Sequence, residues 1–179
     1  MMVQHERDLH SDERAVAPAA PWTEGRPRVL IAEDDEKMRQ LLAKVVHADG
    51  YAVVECQNGI DLFGHLEAFV GRQGRLDFDV IISDILMPGP TGLEILEALH
   101  DRAGFPPVIL ITAFGDRGTH ARAQKAKAAA VLDKPFEIDE LLRKLREVVA
   151  HQPRGPRGMD GNTPPEKDTH ESEASLENR

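Results

Sequence analysis

Between residues 27 and 151, short apolar runs alternate with stretches in which apolar residues recur every third or fourth position. The runs are RVLIA (28–32), YAVVEC (51–56), DVIIS (79–83), PVILIT (107–112) and AAVLD (129–133). Each is short, apolar and flanked by turn formers or polar residues, as strands are. Val80, Ile81 and Ile82 leave no polar face, so the third strand reads as buried on both sides. Between the runs a helical period takes over. It is carried by Met38, Leu41, Leu42, Val45 and Val46, closing near Gly50, and then by Leu62, Phe63, Leu66, Phe69 and Val70 after a turn at Asn58-Gly59. A helix over 91–101, an Ala-rich helix over 115–129 and a last helix with Ile138, Leu141, Leu142, Leu145, Val148 and Val149 on one face complete the series. Strands alternating with helices predict an α/β fold with a parallel sheet covered on both faces. Right-handed crossovers make it a doubly wound open sheet, (βα)5.

In such a sheet, ligands bind beyond the carboxyl ends of the strands. The first strand exits into Glu33, Asp34 and Asp35, the third into Asp84, the fourth into Thr112, and the fifth into Lys134-Pro135. A buried strand ending on an aspartate is costly unless the charge has a partner. Carboxylates gathered within a few ångströms repel one another, and a divalent cation resolves the conflict. Oxygen ligands with no His or Cys beside them suit a hard ion, Mg²⁺ where phosphate is also met. A carboxylate can attack phosphorus, and a metal, a lysine and a hydroxyl can neutralise the oxygen charge of that step. Singly, each residue has a plainer reading: Asp84 as a turn acid, Thr112 as a strand-end threonine, Lys134 as a solvated lysine, EDD as a helix-start cluster. Their placement at four strand ends of one edge is what points to chemistry.

Charge and composition narrow the picture further. Residues 1–25 and 151–179 are poor in apolar residues and rich in Pro, Gly, Glu, Asp and Ser, so disorder is expected there. The organisation expected is a disordered N-terminal extension (1–25), one domain (27–151) and a disordered polar C-terminal tail (152–179). The formal net charge is −9, with five acids against two bases in the first 25 residues and six against four in the last 29. That balance gives no basic footprint for direct nucleic-acid binding. The single cysteine, Cys56, excludes an intrachain disulfide framework and a CxxC metal site, and reads as a small buried side chain. No run approaches the roughly 18 apolar residues of a membrane span, so no membrane insertion is expected. MMVQHERDLHSDER lacks the apolar core of a signal peptide, and a cytoplasmic protein is the expectation.

The stretches VLIAEDDEKMRQLL, DVIISDILMPGPTGLEIL, VILITAF and VLDKPF resemble, in order and spacing, the receiver domain of bacterial two-component response regulators. The resemblance covers roughly residues 27–150 and implies a flavodoxin/CheY-like sheet of strand order 2-1-3-4-5. Aligning Met38-Arg39 with the start of the family's first helix makes Glu33 and Asp34 the acidic pair and Asp35 a variable neighbour. By this resemblance, Asp84 is the phosphoacceptor, taking a phosphoryl group from a sensor histidine kinase or a histidine phosphotransfer protein. Asp34, Asp84 and the Leu86 main-chain carbonyl ligate Mg²⁺, and Glu33 does so through water. Thr112 bonds a phosphoryl oxygen, Lys134 pairs with the acids and then with the phosphoryl group, and the Lys134–Pro135 peptide is cis. The family's output surface, the fourth helix with the fifth strand and helix, carries Arg122 and Lys125 beside Arg117 and Lys127. This predicts an acidic docking surface on a downstream protein whose identity the sequence does not give.

The sequence departs from the family pattern at two places. Val131 stands where an aromatic residue usually turns inward on activation, and Lys127 where glycine is usual. Leu86 and Phe114 occupy the positions that flank the path of a hydrolytic water. Both are apolar, which predicts slow autodephosphorylation by a domain that is not an enzyme in the ordinary sense. Two other acidic, Mg²⁺-dependent α/β folds fit poorly: EDDEK does not supply the DxDx[TV] of a haloacid-dehalogenase-type phosphatase, and SDILM lacks the DxD of a toprim fold. After Ala150 only 29 residues follow, most of them polar, so the expectation is a stand-alone receiver that signals by protein–protein contact or serves as a phosphorelay intermediate. The alternative is a receiver-like adaptor that works without phosphorylation, against which the full set of Glu33, Asp34, Asp84, Thr112 and Lys134 argues.

Overall fold

The computed structural model describes residues 25–71 and 77–152. The expectations of disorder for residues 1–25 and 152–179 lie outside the described residues, apart from Gly25 and Gln152. In chain order the elements are β1 (Arg28–Ala32), α1 (Glu36–Ala48), β2 (Ala52–Cys56), α2 (Gly59–Gly71) and β3 (Val80–Asp84), then α3 (Gly92–Leu99), β4 (Val108–Thr112), α4 (Arg117–Lys125), β5 (Ala130–Asp133) and α5 (Ile138–Ala150). The strands form one parallel sheet in the order β2-β1-β3-β4-β5. This is the flavodoxin/CheY-like α/β fold.

Every residue of β3 and β4 is buried, which is why their sequences are continuous rather than alternating. Alternate side chains feed two cores. On one face Leu30, Ile81 and Leu110 pack with Leu62 and Leu66 of α2, Leu93 and Leu96 of α3, and Ala123 of α4. On the other, Val29, Ile31, Ile82, Ile109 and Ile111 pack with Leu42 and Val46 of α1 and Leu141 and Leu145 of α5. Each such leucine or isoleucine contributes about 1.5–3 kcal/mol by leaving water. The register then aligns the carboxyl ends: Ala32 lies beside Ser83, Asp84 beside Ile111, and Thr112 beside Asp133.

Two expectations from periodicity need correction. Leu41 and Phe63 sit within apolar helical stripes but are 45% and 42% exposed. Each lies at the edge of an arc whose centre, Leu42 or Leu62, already fills the interface. The fourth helix is also shorter than 115–129. Asp116 caps its start by accepting the Thr119 N–H at 2.6 Å, and the helix ends before Ala126. There the Lys127 N–H bonds the Gln124 carbonyl at 3.0 Å, and the Ala128 N–H bonds the Ala123 carbonyl at 2.9 Å. That pair of bonds is a Schellman stop. The alanines favour helix, but Ala129 must turn away to bond Val108, at 2.8 Å, and begin the pairing of β5.

The stop puts Lys127 at φ +57°, in the left-handed region that a side chain disfavours. Its ammonium reaches Asp101 at 2.7 Å, but both groups are largely in water, so this ion pair returns little. Lys127→Gly is expected to stabilise the fold by about 1 kcal/mol. The check is urea unfolding, where the midpoint should rise with the slope unchanged.

Candidate functional site

The aligned strand ends bring four polar groups to one edge of an otherwise apolar sheet. Glu33, Asp84 and Thr112 are buried. Lys134, leaving β5, extends its ammonium across the edge to Asp84 Oδ2 at 2.5 Å and to Glu33 Oε2 and Oε1 at 2.8 and 3.0 Å. Asp84 Oδ1 accepts the Leu86 N–H at 2.9 Å. Thr112 Oγ1 accepts the Phe114 N–H at 3.1 Å, and the Thr112 carbonyl accepts the Lys134 N–H at 2.7 Å. The Lys134–Pro135 peptide is cis.

Asp34 completes an acidic cluster in which carboxylate oxygens of Glu33, Asp34 and Asp84 lie within 4.8 Å of one another. Asp35 stays out of it, because its side chain caps α1 by accepting the Met38 N–H at 2.8 Å. Three carboxylates against one ammonium leave the site negative, and every donor is an oxygen. That donor set fits a small divalent cation such as Mg²⁺, with Glu33, Asp34 and Asp84 as the candidate holders.

The loops at this edge are shaped by close backbone approach. A Cβ on Gly92 would overlap Ser83 Oγ, so only glycine lets α3 start against the end of β3. A Cβ on Gly59 would overlap the Pro90 carbonyl, and its N–H bonds the Pro88 carbonyl at 2.9 Å. The Leu86–Pro90 loop beside Asp84 is therefore pinned by the start of α2.

Burial is the largest influence on Glu33 and raises its carboxyl pKa; the Lys134 bond pulls it down and the Asp84 charge pushes it up again, leaving it above its ordinary 4.5. Burial alone would lower the pKa of Lys134, but its bonds to Asp84 and Glu33 outweigh that, and the ammonium titrates above its ordinary 10.5. Lys134 therefore stays charged throughout the physiological range.

Residues 29–146 match the family model of the response regulator receiver domain. The chain belongs to the response regulator receiver family. Receiver domains are phosphoacceptors rather than classical enzymes. The chain is 31% identical over 138 residues to the DNA-binding transcriptional regulator NtrC of Escherichia coli, covering 76% of this chain and 28% of that one. Among solved structures it resembles chemotaxis protein CheY4 of Vibrio cholerae (28% identity, TM-score 0.58, covering 69% of this chain and 98% of that one). It also resembles response regulator TrrA of Thermotoga maritima, solved in complex with Mg²⁺-BeF (28% identity, TM-score 0.56, covering 68% and 98%). The chain spans roughly a quarter to just over half of the length of curated relatives such as NtrC and FixJ.

The other residues singled out from sequence divide between the rim of this receiver's acidic edge, where the Leu86 and Phe114 N–H groups bond Asp84 and Thr112, and the rest of the domain. Val131 is half-buried and packs on the core formed with α2, α3 and α4. Leu86 and Phe114 are 49% and 72% exposed. Arg122 gives both arms of its guanidinium to Glu97 of α3, at 2.9 and 2.8 Å, so much of the basic character of α4 is answered within the domain. Two features had no usable signal in the sequence. Arg39 bonds the Glu33 carbonyl at 2.8 Å, and His120 pairs with Asp133 at 3.0 Å. Both join residues whose spacing matches no helix or strand period. No helix among the described residues is long and apolar enough to cross a membrane.

The direction of the Glu33 shift fixes a pH dependence. Because its folded-state pKa lies above the unfolded value of 4.5, its contribution to stability is complete below that pH and is lost as pH rises through the folded pKa. In chelator, Glu33→Gln should be more stable than wild type at pH 7.5, and the difference should shrink as the pH falls towards 4. Denaturant titrations at the two pH values measure it; a difference independent of pH would contradict the assignment.

Proposed function

We propose that this receiver takes a phosphoryl group on Asp84 from the phosphohistidine of a sensor histidine kinase or a histidine phosphotransfer protein. An Asp84 carboxylate oxygen attacks phosphorus, the P–N bond breaks, its electron pair leaves with the imidazole, and an acyl phosphate remains. The observation that carries this reading is the Lys134 ammonium bound to both Asp84 and Glu33. It is a cation already at the nucleophile, able to follow charge onto the phosphoryl oxygens. Thr112, whose hydroxyl rests on the Phe114 N–H, donates to a phosphoryl oxygen. Mg²⁺, held by Asp34, Asp84 and the Leu86 carbonyl with Glu33 acting through water, would supply further neutralisation of oxygen charge. The Mg²⁺-BeF complex of TrrA supports that choice of ion. Signalling then proceeds by protein–protein contact, with neither nucleic-acid binding nor membrane insertion by this domain, in the cytoplasm. The acidic docking surface expected opposite Arg122 and Lys125 loses support from the pairing of Arg122 with Glu97.

The test uses acetyl phosphate as a small phosphodonor and a phosphate-affinity gel. Wild type should shift only when Mg²⁺ is present, and Asp84→Asn should not shift. Equal labelling of the two proteins, or labelling indifferent to chelator, would end the phosphoacceptor reading.

The lifetime of the acyl phosphate depends on how easily a water is placed in line with the P–O bond. The side chains of Leu86 and Phe114 carry no polar atom to orient that water, and their exposure leaves them room to lie over the phosphoryl group. Autodephosphorylation is therefore expected to be slow. The decay of phospho-Asp84 after donor removal should accelerate at least several-fold in a Leu86→Asn, Phe114→Glu double variant; equal decay would refute the shielding.

A further inference from the structure

Of the three carboxylates at the site, Asp34 alone has no protein partner among the described residues. Glu33 is held by Lys134, and Asp84 by Lys134 and the Leu86 N–H. A cation ligand needs this freedom, but its direction must then come from the backbone on either side. On one side, the Glu33 N–H bonds the Cys56 carbonyl at 3.2 Å, and the Glu33 carbonyl accepts Arg39 Nη1 at 2.8 Å. On the other, the Asp35 carbonyl accepts the Arg39 main-chain N–H at 2.9 Å. Both flanks of Asp34 are thus tied to one residue.

The Arg39 side chain is only 14% exposed, and its Nε lies 3.6 Å from Glu55 Oε2. Glu55 orients the guanidinium and offsets its charge beside a cation site. We propose that Arg39 is a positioning residue, which by clamping the Glu33 carbonyl holds the peptide that aims Asp34 at the cation. This rests on the reading of Glu33, Asp34 and Asp84 as the Mg²⁺ site.

Two effects of removing Arg39 have opposite signs, and that separates the clamp from plain electrostatics. Deleting a positive charge near a cation site tightens cation binding through the relief of Coulomb repulsion alone. Releasing the clamp loosens it, as loss of a group supporting a metal ligand does, by about tenfold.

The experiment is isothermal titration of the full chain with Mg²⁺. Arg39→Met removes both charge and donor and should weaken binding about tenfold. Arg39→Lys keeps the charge with a shorter donor and should fall between Arg39→Met and wild type. Glu55→Gln keeps the carbonyl bond and should change binding by no more than about twofold. With acetyl phosphate as donor, the Mg²⁺ concentration for half-maximal phosphorylation should move with the binding constant, and the rate at saturating Mg²⁺ should stay near wild type. Binding by Arg39→Met as tight as wild type or tighter overturns the clamp, and so does a loss of saturating rate with binding unchanged. Should Arg39→Met fail to fold, wild-type Mg²⁺ affinity in Arg39→Lys overturns it equally. Failure of wild type itself to bind Mg²⁺ at millimolar concentration would sink the underlying site reading, a result distinct from the others.

Discussion

The ammonium of Lys134 is the interaction on which the acidic edge depends. It leaves β5, reaches over β4, and bonds carboxylates carried by β3 and β1, at 2.5 Å to Asp84 and 2.8 Å to Glu33. Two carboxylates buried side by side without it would repel and draw protons. With it, among the described residues, the edge holds one unpaired carboxylate, Asp34, and a second, Asp84, whose charge is balanced but not locked. Such an arrangement requires a parallel sheet, because only there do all the strands end their buried runs on the same edge. The register pairs of Asp84 with Ile111 and Thr112 with Asp133 are what turn four separate strand ends into one site.

The same sheet explains why the fold and the acidic edge were legible in the sequence. A strand buried on both faces needs a continuous apolar run, so β3 and β4 announce themselves, and the polar residue that closes each strand is conspicuous. Asp84 and Thr112 stand out for that reason, as do Glu33 and Lys134 after β1 and β5. Asp35 illustrates where composition ends and geometry begins. Three successive acids look equivalent in sequence, yet the third faces back to cap α1 through the Met38 N–H.

What was not legible depends on contacts between residues far apart in the chain. The exposure of Leu41 and Phe63 follows from the angle at which α1 and α2 lie on the sheet, which periodicity does not encode. The end of α4 is set by where β5 must begin, against the helical preference of its alanines. In one dimension the basic stripe on α4 reads as a surface for an acidic partner; in three, Arg122 pairs with Glu97 of the neighbouring helix. Arg39 is hidden in the same way, since its partners are a main-chain carbonyl and the end of β2.

Position 131 carries no aromatic ring, which leaves the contact between α4 and β5 beside the acidic edge to other groups. Val131 is short and packs on the core, so it has no ring to swing between two positions. What joins α4 to β5 there is the His120–Asp133 pair, at 3.0 Å and one residue before Lys134. Gly115, three residues after Thr112, lies so close that a Cβ would overlap both partners of this pair. The loop that follows Thr112 and the pair therefore sit in direct contact, with no room for a side chain at position 115. Beside the acidic edge, α4 and β5 are thus joined by a polar contact at the surface, next to a short side chain rather than a ring in the core.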